Sequence, residues 1–294
     1  MPNISMDYIR LLRPHQWIKN LLILAPPFFG GAFFSDPTLL FAMIQAFFAF
    51  SFASSTGYII NDLSDLITDK LHPIKKFRPL ASGRVSTQSA VILVLLTFAI
   101  AIGLSLSFGK GFILIIILYL ILNLLYSFLL QHIVIVDAIT IALGFVFRIG
   151  AGGEASGIEV SSWLFLTTFL LSLLLAFGKR RFELVSFSNS TSFRRVLAKY
   201  KMNFLDTAIS IFATTAIVTY SLYAVERGPR LFIITVPFVC YGVLRYMYLV
   251  QTDKNGDPTE ALLKDRWLFT SVFLWIIVTA VIIYIQDTSS ISIQ

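Results

Sequence analysis

The residues with the clearest chemical potential lie in one stretch, YIINDLSDLITDKLHPIKKFRPLASG, residues 58–83. Asn61, Asp62, Asp65 and Asp69 recur there at short helical spacing. At about 100° per residue, these four and Tyr58 fall within roughly 100° of arc. One helix face is therefore expected to stack four oxygen ligands over three turns. Oxygen-only faces rich in carboxylate suit hard cations, and Mg²⁺ takes one or two carboxylates and shares its other positions with substrate phosphate. The sign of charge then flips. Pro73 is expected to end the helix, and Lys75, Lys76, Arg78 and Arg84 follow. Carboxylates for a metal beside a run of cations form a site for a bound diphosphate. A loop that only fixed membrane orientation would need the cations, but not aspartates aligned on one face.

Three further groups carry charge where charge is expensive. Lys19 and Asn20 begin the first apolar run, after Arg10, Arg13 and Trp17. Lys19 either snorkels to the interface or contacts phosphate. Asp137 and Arg148 lie within one apolar segment, eleven residues apart and so on one helix face. They form a structural pair with each other or with another helix, or Arg148 meets an anion, which a guanidinium can hold bidentately. Lys179, Arg180 and Arg181 follow Gly178 at the end of another apolar run. Singly they read as topogenic charge; together they read as a site for an anionic substrate group. Other chemistries find no support. His15, His72 and His132 are scattered, Cys240 is the lone cysteine, and there is no nucleophile–histidine arrangement or glycine-rich phosphate loop.

The elements that must position these groups are membrane helices. Of 294 residues, 57% are hydrophobic and 13% charged, with a mean hydropathy of +0.82. That composition excludes an ordinary soluble domain and points to an all-α polytopic membrane protein. Nine spans are predicted, near 16–35, 38–60, 89–108, 111–130, 134–152, 161–178, 204–225, 231–250 and 267–286, as one transmembrane domain over 1–294. The connections at 61–88, 179–203 and 251–266 are long, and most others are short. With the amino terminus cytoplasmic, 19 of the 23 Lys and Arg fall inside, a strong positive-inside pattern. Arg194, Arg195, Lys199, Lys201, Arg245, Lys254, Lys264 and Arg266 belong to that side; Lys110, Arg227 and Arg230 do not. The net charge of +7 thus needs no nucleic acid: the basic loops face anionic lipid and anionic substrate.

The motif Asn61-Asp62-x-x-Asp65-x-x-x-Asp69, followed by Arg78-Pro79-Leu80-Ala81-Ser82-Gly83, resembles the signature of the UbiA superfamily of intramembrane prenyltransferases. Within it, the chain is most similar to the decaprenyl-phosphate phosphoribosyltransferases, through RPHQWIKN, the 61–83 stretch, YS at 126–127, VDAITIALGFVFRIGAGG and GKRRFE. The resemblance implies a UbiA-like bundle of about nine helices in a bacterial plasma membrane, with the active site facing the cytoplasm. It implies Mg²⁺-dependent transfer of 5-phosphoribosyl from phosphoribosyl diphosphate to a polyprenyl phosphate, with diphosphate released. Asn61 and Asp65 would hold Mg²⁺, with Asp62 and Asp69 in support, the three aspartates being the catalytic set. Lys19, Tyr58 and Lys75 would hold the donor, and Asn20, Arg78, Tyr126 and Asp137 would join in binding substrate. Arg148 and the position of Gln131 would meet the lipid phosphate, and Lys179 and Arg180 would add charge for substrate binding. Gln131 departs from the pattern, which places a lysine there and so one more cation at the acceptor.

Two other readings stay open. A prenyltransferase of the same fold would take a prenyl diphosphate donor and an aromatic or other acceptor; it would carry a second aspartate-rich motif where this chain reads Gly178-Lys179-Arg180-Arg181-Phe182-Glu183. A transporter would use Asp137 and Arg148 as midplane pathway residues. A homo-oligomer is compatible with all of these.

Overall fold

A computed structural model describes residues 4–36, 38–72, 74–186, 197–226, 230–252 and 257–291. Pro73, Arg194, Arg195, Arg227 and Lys254, named above for a helix end and for loop charge, lie outside these residues. The described chain is helical and contains no strand. After an amphipathic α1 (Ile4–Leu12), the expected first span is not one helix. It is a 3-10 segment, Pro14–Leu24, followed by two short helices, α2 (Ala25–Phe29) and α3 (Ala32–Ser35). The cause is local. Pro26 and Pro27 lack the N–H that would continue the ladder, and Gly31 takes a left-handed φ of 72°.

The other eight expected spans are long helices. They are α4 (Leu39–Ser64), α6 (Thr87–Ser105), α7 (Lys110–Phe128), α8 (Val136–Ser156), α9 (Ser162–Ser186), α10 (Met202–Glu226), a 3-10 start leading into α11 (Val236–Gln251), and α13 (Arg266–Ile291). Among the described residues, eight helices are long and apolar enough to cross a membrane, so the protein is an integral membrane protein. Two short helices lie in the long connections: α5 (Leu66–Leu71) and α12 (Pro258–Lys264).

Helices α4 and α8 form the centre. Each buries over half of its apolar window, whereas α6 exposes most of its own. Buried small residues let neighbours approach α4 closely: Ala46, Ala49, Ala53 and Gly57. On α8, a Cβ at Gly152 would collide with the carbonyl of Ile23 in the broken first segment. Gly152 therefore sets how closely that segment packs. Helix α8 joins two apolar cores. Ala138 and Ala142 pack with α9, α10, α11 and α13; Ala151 packs with Ile23, α4, α6 and α7. The two innermost helices are also those that carry Asn61 and Asp62, and Asp137 and Arg148.

Candidate active site

A cavity of about 660 Å³ opens between α4, α7, α8 and α9, and residues of the long connections reach its wall. Nine of the expected site residues line it: Lys19, Tyr58, Asn61, Lys75, Arg78, Tyr126, Arg148, Lys179 and Arg180. The remaining six do not line it: Asn20, Asp62, Asp65, Asp69 and Asp137 contact groups that do, and Gln131 contacts Asp65.

The expected single face over 58–69 is divided. Helix α4 ends at Ser64, Asp65 turns to φ −89° and ψ 5°, and α5 begins at Leu66. Backbone bonds from Asp65 to Asn61 and from Asp69 to Asp65 bridge the bend. Two pairs result. Asp62 and Asp69 are buried and share Arg78, whose Nη1 donates to both at 2.8 and 2.6 Å. Asp62 also accepts from Arg13, and Asp69 lies 3.5 Å from Lys75. These two carboxylates hold the cations at the cavity wall. Asn61 and Asp65 form the other pair, with the amide donating at 2.9 Å. Gln131 also donates to Asp65 at 3.3 Å and to the Ser127 carbonyl at 2.6 Å. Gln131 is buried beside the acidic face and is turned towards Asp65.

Among the described residues, no three His, Cys, Asp or Glu side chains converge into a metal cage. An Mg²⁺ ion does not require one. One carboxylate and an amide oxygen, completed by substrate phosphate and water, meet its usual demands. Asn61 and Asp65 fit that role, while Asp62 and Asp69 are engaged with guanidinium groups.

Arg148 lies on the inner face of α8, 4% exposed. Its Nε donates to Asn20 Oδ1 at 2.7 Å and its Nη1 to the Gly144 carbonyl at 2.6 Å. Ser54 and Tyr119 hydroxyls stand 3.4 and 3.3 Å from Nη2. The rings of Phe50, Tyr119 and Phe145 surround the guanidinium at 5.1–5.3 Å. Neutral dipoles and π faces stabilise the charge without cancelling it. Neither Arg148 nor Lys19 forms an ion pair among the described residues. Asn20 is fully buried and donates to Ser51 at 2.9 Å, so it holds Arg148 in place from the first segment.

Asp137 does not pair with Arg148. It accepts from Arg180 at 2.8 Å and from the Tyr200 hydroxyl at 2.6 Å. Arg180 also donates to Glu183 at 2.8 Å and reaches the Tyr126 hydroxyl at 3.4 Å. Lys179 pairs with Asp257 at 2.8 Å. Burial would push the Asp257 carboxyl up, but the charge and hydrogen bond of Lys179 outweigh it and hold the group below its ordinary value. Arg181 turns to Asp206 at 2.6 Å and does not line the cavity. The Lys-Arg-Arg cluster is thus largely compensated by carboxylates.

Residues 24–277 match the UbiA prenyltransferase family. The chain belongs to that family. It is an enzyme of the UbiA superfamily, and its relatives narrow the comparison. A decaprenyl-phosphate phosphoribosyltransferase of Corynebacterium glutamicum is 34% identical over 296 residues, covering 97% of this chain and 89% of that protein. One from Mycobacterium tuberculosis H37Rv is 30% identical over 282 residues, covering 93% of each. The solved structure of a UbiA homolog from Archaeoglobus fulgidus bound to DMAPP and Mg²⁺ has a TM-score of 0.72 at 19% identity, covering 95% of this chain and 99% of that one. Likeness at that identity establishes the shared fold.

Within this UbiA site, several wall residues carried no sequence signal strong enough to single them out. Arg13 contacts Asp62 from a left-handed backbone, φ 54°, just before Pro14. A non-glycine residue there is uncommon, and sequence alone gave only a basic residue at a span edge. Tyr119, Asn123 and Thr140 resemble ordinary helix residues. Glu183 lies on the periodicity of α9. Pro258, Thr259 and Leu262 reach the cavity from α12, more than seventy residues beyond the end of α9 in sequence. The Asp257-Pro258 pair, the N-cap and first residue of α12, is a helix-start signal that could have placed a helix there.

Proposed function

We propose that this chain transfers 5-phosphoribosyl from phosphoribosyl diphosphate to a polyprenyl phosphate, as one catalytic domain in a bacterial plasma membrane with its site facing the cytoplasm. The carrying observation is Arg148: a buried guanidinium at the cavity wall, within a membrane helix, held by neutral groups and facing no carboxylate among the described residues. Such a charge is retained at that depth where an anion completes it. A polyprenyl phosphate brings that anion on an apolar chain, and Leu122, Ile141, Phe145 and Leu175 supply apolar wall. The names of the relatives from Corynebacterium and Mycobacterium support the same acceptor class.

In the reaction, an oxygen of the acceptor phosphate forms a bond to C1 of the ribose. The bond from C1 to diphosphate breaks, and diphosphate leaves with the electron pair. Asn61 and Asp65 would hold Mg²⁺, which would supply positive charge to the leaving group when bound. Lys19 and Lys75 offset the negative charge that grows there. Asp62 and Asp69 fix Arg13 and Arg78, so these cations enter the site already oriented. The acceptor is an anion at neutral pH and needs no general base. A prenyl diphosphate donor is the competing reading within the family. Purified protein with Mg²⁺ should be offered phosphoribosyl diphosphate with polyprenyl phosphates of several lengths, and separately a prenyl diphosphate with an aromatic acceptor. Phosphoribosylated lipid is the expected product. Prenyl transfer with no use of phosphoribosyl diphosphate would replace this reading with its competitor.

A further inference from the structure

The carboxylates of the acidic face meet two kinds of neighbour. Asp62 and Asp69 contact the cationic groups of Arg13, Arg78 and Lys75. Asp65 accepts from two neutral amides and, among the described residues, from no cation. Asn61 donates to its Oδ2 at 2.9 Å and Gln131 to its Oδ1 at 3.3 Å. An ionised carboxylate offers about four lone-pair positions, two on each oxygen. The amides take one on each, so both oxygens of Asp65 keep a position and the charge stays whole. The place of Gln131 follows from the short connection between α7 and α8. Helix α7 ends at Phe128, and one 3-10 turn, Leu130–His132, follows. That turn buries Gln131, whose Nε2 also donates to the Ser127 carbonyl at 2.6 Å. The same carbonyl accepts from Ser64 Oγ at 3.5 Å. Ser64 is the last residue of α4, next to the bend at Asp65. The ends of α4 and α7 are thus joined through one carbonyl and one amide, at the point where Asp65 leaves the helix.

Charge shows what a neutral donor achieves there. A cation at position 131 would hold Asp65 equally well but would offset its charge, as Arg78 does for Asp62 and Asp69. An apolar residue would keep the charge and release the side chain. A glutamine fixes the carboxylate and leaves it ionic. We infer that Gln131 is a positioning residue for a divalent cation: it orients Asp65 and reserves its charge for the metal. This rests on the proposed assignment of Asn61 and Asp65 to Mg²⁺ and deepens it. It also moves position 131 away from the lipid phosphate, the contact that its resemblance implied. Partners that orient a metal ligand commonly change metal affinity by about 10- to 100-fold when removed.

The test titrates the purified chain with Mn²⁺ in place of Mg²⁺ and reads the free ion by electron paramagnetic resonance. Wild type is compared with Gln131→Leu, Gln131→Lys, Asp65→Asn and the double variant of Gln131→Leu with Asp65→Asn. Thermal unfolding in detergent reports which variants are folded. Asp65→Asn should bind Mn²⁺ far more weakly than wild type. Gln131→Leu and Gln131→Lys should each weaken binding by about 10- to 100-fold, Gln131→Lys the more. In the Asp65→Asn background, Gln131→Leu should change nothing further, because its effect passes through Asp65. Kinetics give a second readout: both variants at 131 should need more metal, while KM for polyprenyl phosphate at saturating metal stays near wild type. Wild-type Mn²⁺ affinity in the folded variants at 131 overturns the inference and leaves the proposed function standing. Unchanged metal affinity with a lower acceptor KM in Gln131→Lys also overturns it, and returns position 131 to the acceptor phosphate. A wild-type affinity no greater than that of Asp65→Asn overturns the metal assignment itself, and this inference with it. Where neither variant at 131 folds, Gln131→Asn, whose amide is one carbon shorter, gives the same readout, and wild-type affinity there overturns the inference.

Discussion

Arg148 and Arg180 are both buried, both line the cavity and both sit on membrane helices, yet they are held in opposite ways. Arg180 lies between two carboxylates, Asp137 and Glu183, each at 2.8 Å. Arg148 lies among an asparagine, a backbone carbonyl, two hydroxyls and three aromatic rings. The difference concerns charge that remains available. A guanidinium shared by two carboxylates orients its neighbours and has none to offer a ligand. A guanidinium surrounded by neutral dipoles keeps its charge, and the surrounding low dielectric strengthens its attraction for an anion. Buried arginine alone does not mark a phosphate site; buried arginine without a carboxylate does.

The largest test of that contrast is stability. Asp137→Ala leaves Arg180 with one of its two carboxylates and removes the acceptor of Tyr200. Breaking such a buried pair commonly costs about 3–5 kcal/mol. Unfolding in detergent should show a loss of that order, and a smaller one for Arg148→Ala. Equal losses would erase the distinction between scaffold and ligand-binding arginine. Next in size is the acidic face. Asp65→Asn is nearly isosteric and can still accept from one of Asn61 and Gln131, but it loses the carboxylate proposed to hold Mg²⁺. Turnover should fall by about 10²- to 10³-fold. Near-normal turnover would make the pair Asn61 and Asp65 structural, like Asp62 and Asp69.

The smallest effect belongs to Lys179 and Asp257, a partly exposed pair at 2.8 Å. Asp257→Asn should cost no more than about 1 kcal/mol. Because the folded-state value of Asp257 is held low, its contribution is present above the ordinary carboxylate range and is lost as pH falls through the lowered value. A wild-type stability profile that matches Asp257→Asn across that acid window would show that the pair contributes nothing.

The sequence revealed the membrane helices and the chemistry at the cavity rim, for a physical reason in each case. Long apolar runs have few alternatives to spanning, so nine segments appear where expected, with the first broken at Pro26-Pro27. Asn61, Arg78, Lys75 and Arg148 were legible because polar groups at a membrane edge or within a span are rare. Pairing was not legible. Asp137 and Arg148 share a helix face by spacing, yet Asp137 turns to Arg180 on α9 and to Tyr200 beyond it. The bend at Asp65 likewise separates ligands that a straight helix would have stacked. Both depend on which helices become neighbours, and spacing along one helix carries no record of that.

The most direct test of the central contrast is the affinity of wild type and Arg148→Ala for a polyprenyl phosphate and for the matching neutral polyprenol. Wild type should bind the phosphate more tightly by about 1.5–3 kcal/mol, the worth of a charge-assisted contact. Arg148→Ala should lose most of that preference while its affinity for the polyprenol stays near wild type. An undiminished preference for the phosphate in Arg148→Ala would contradict the assignment and place the acceptor anion elsewhere in the cavity.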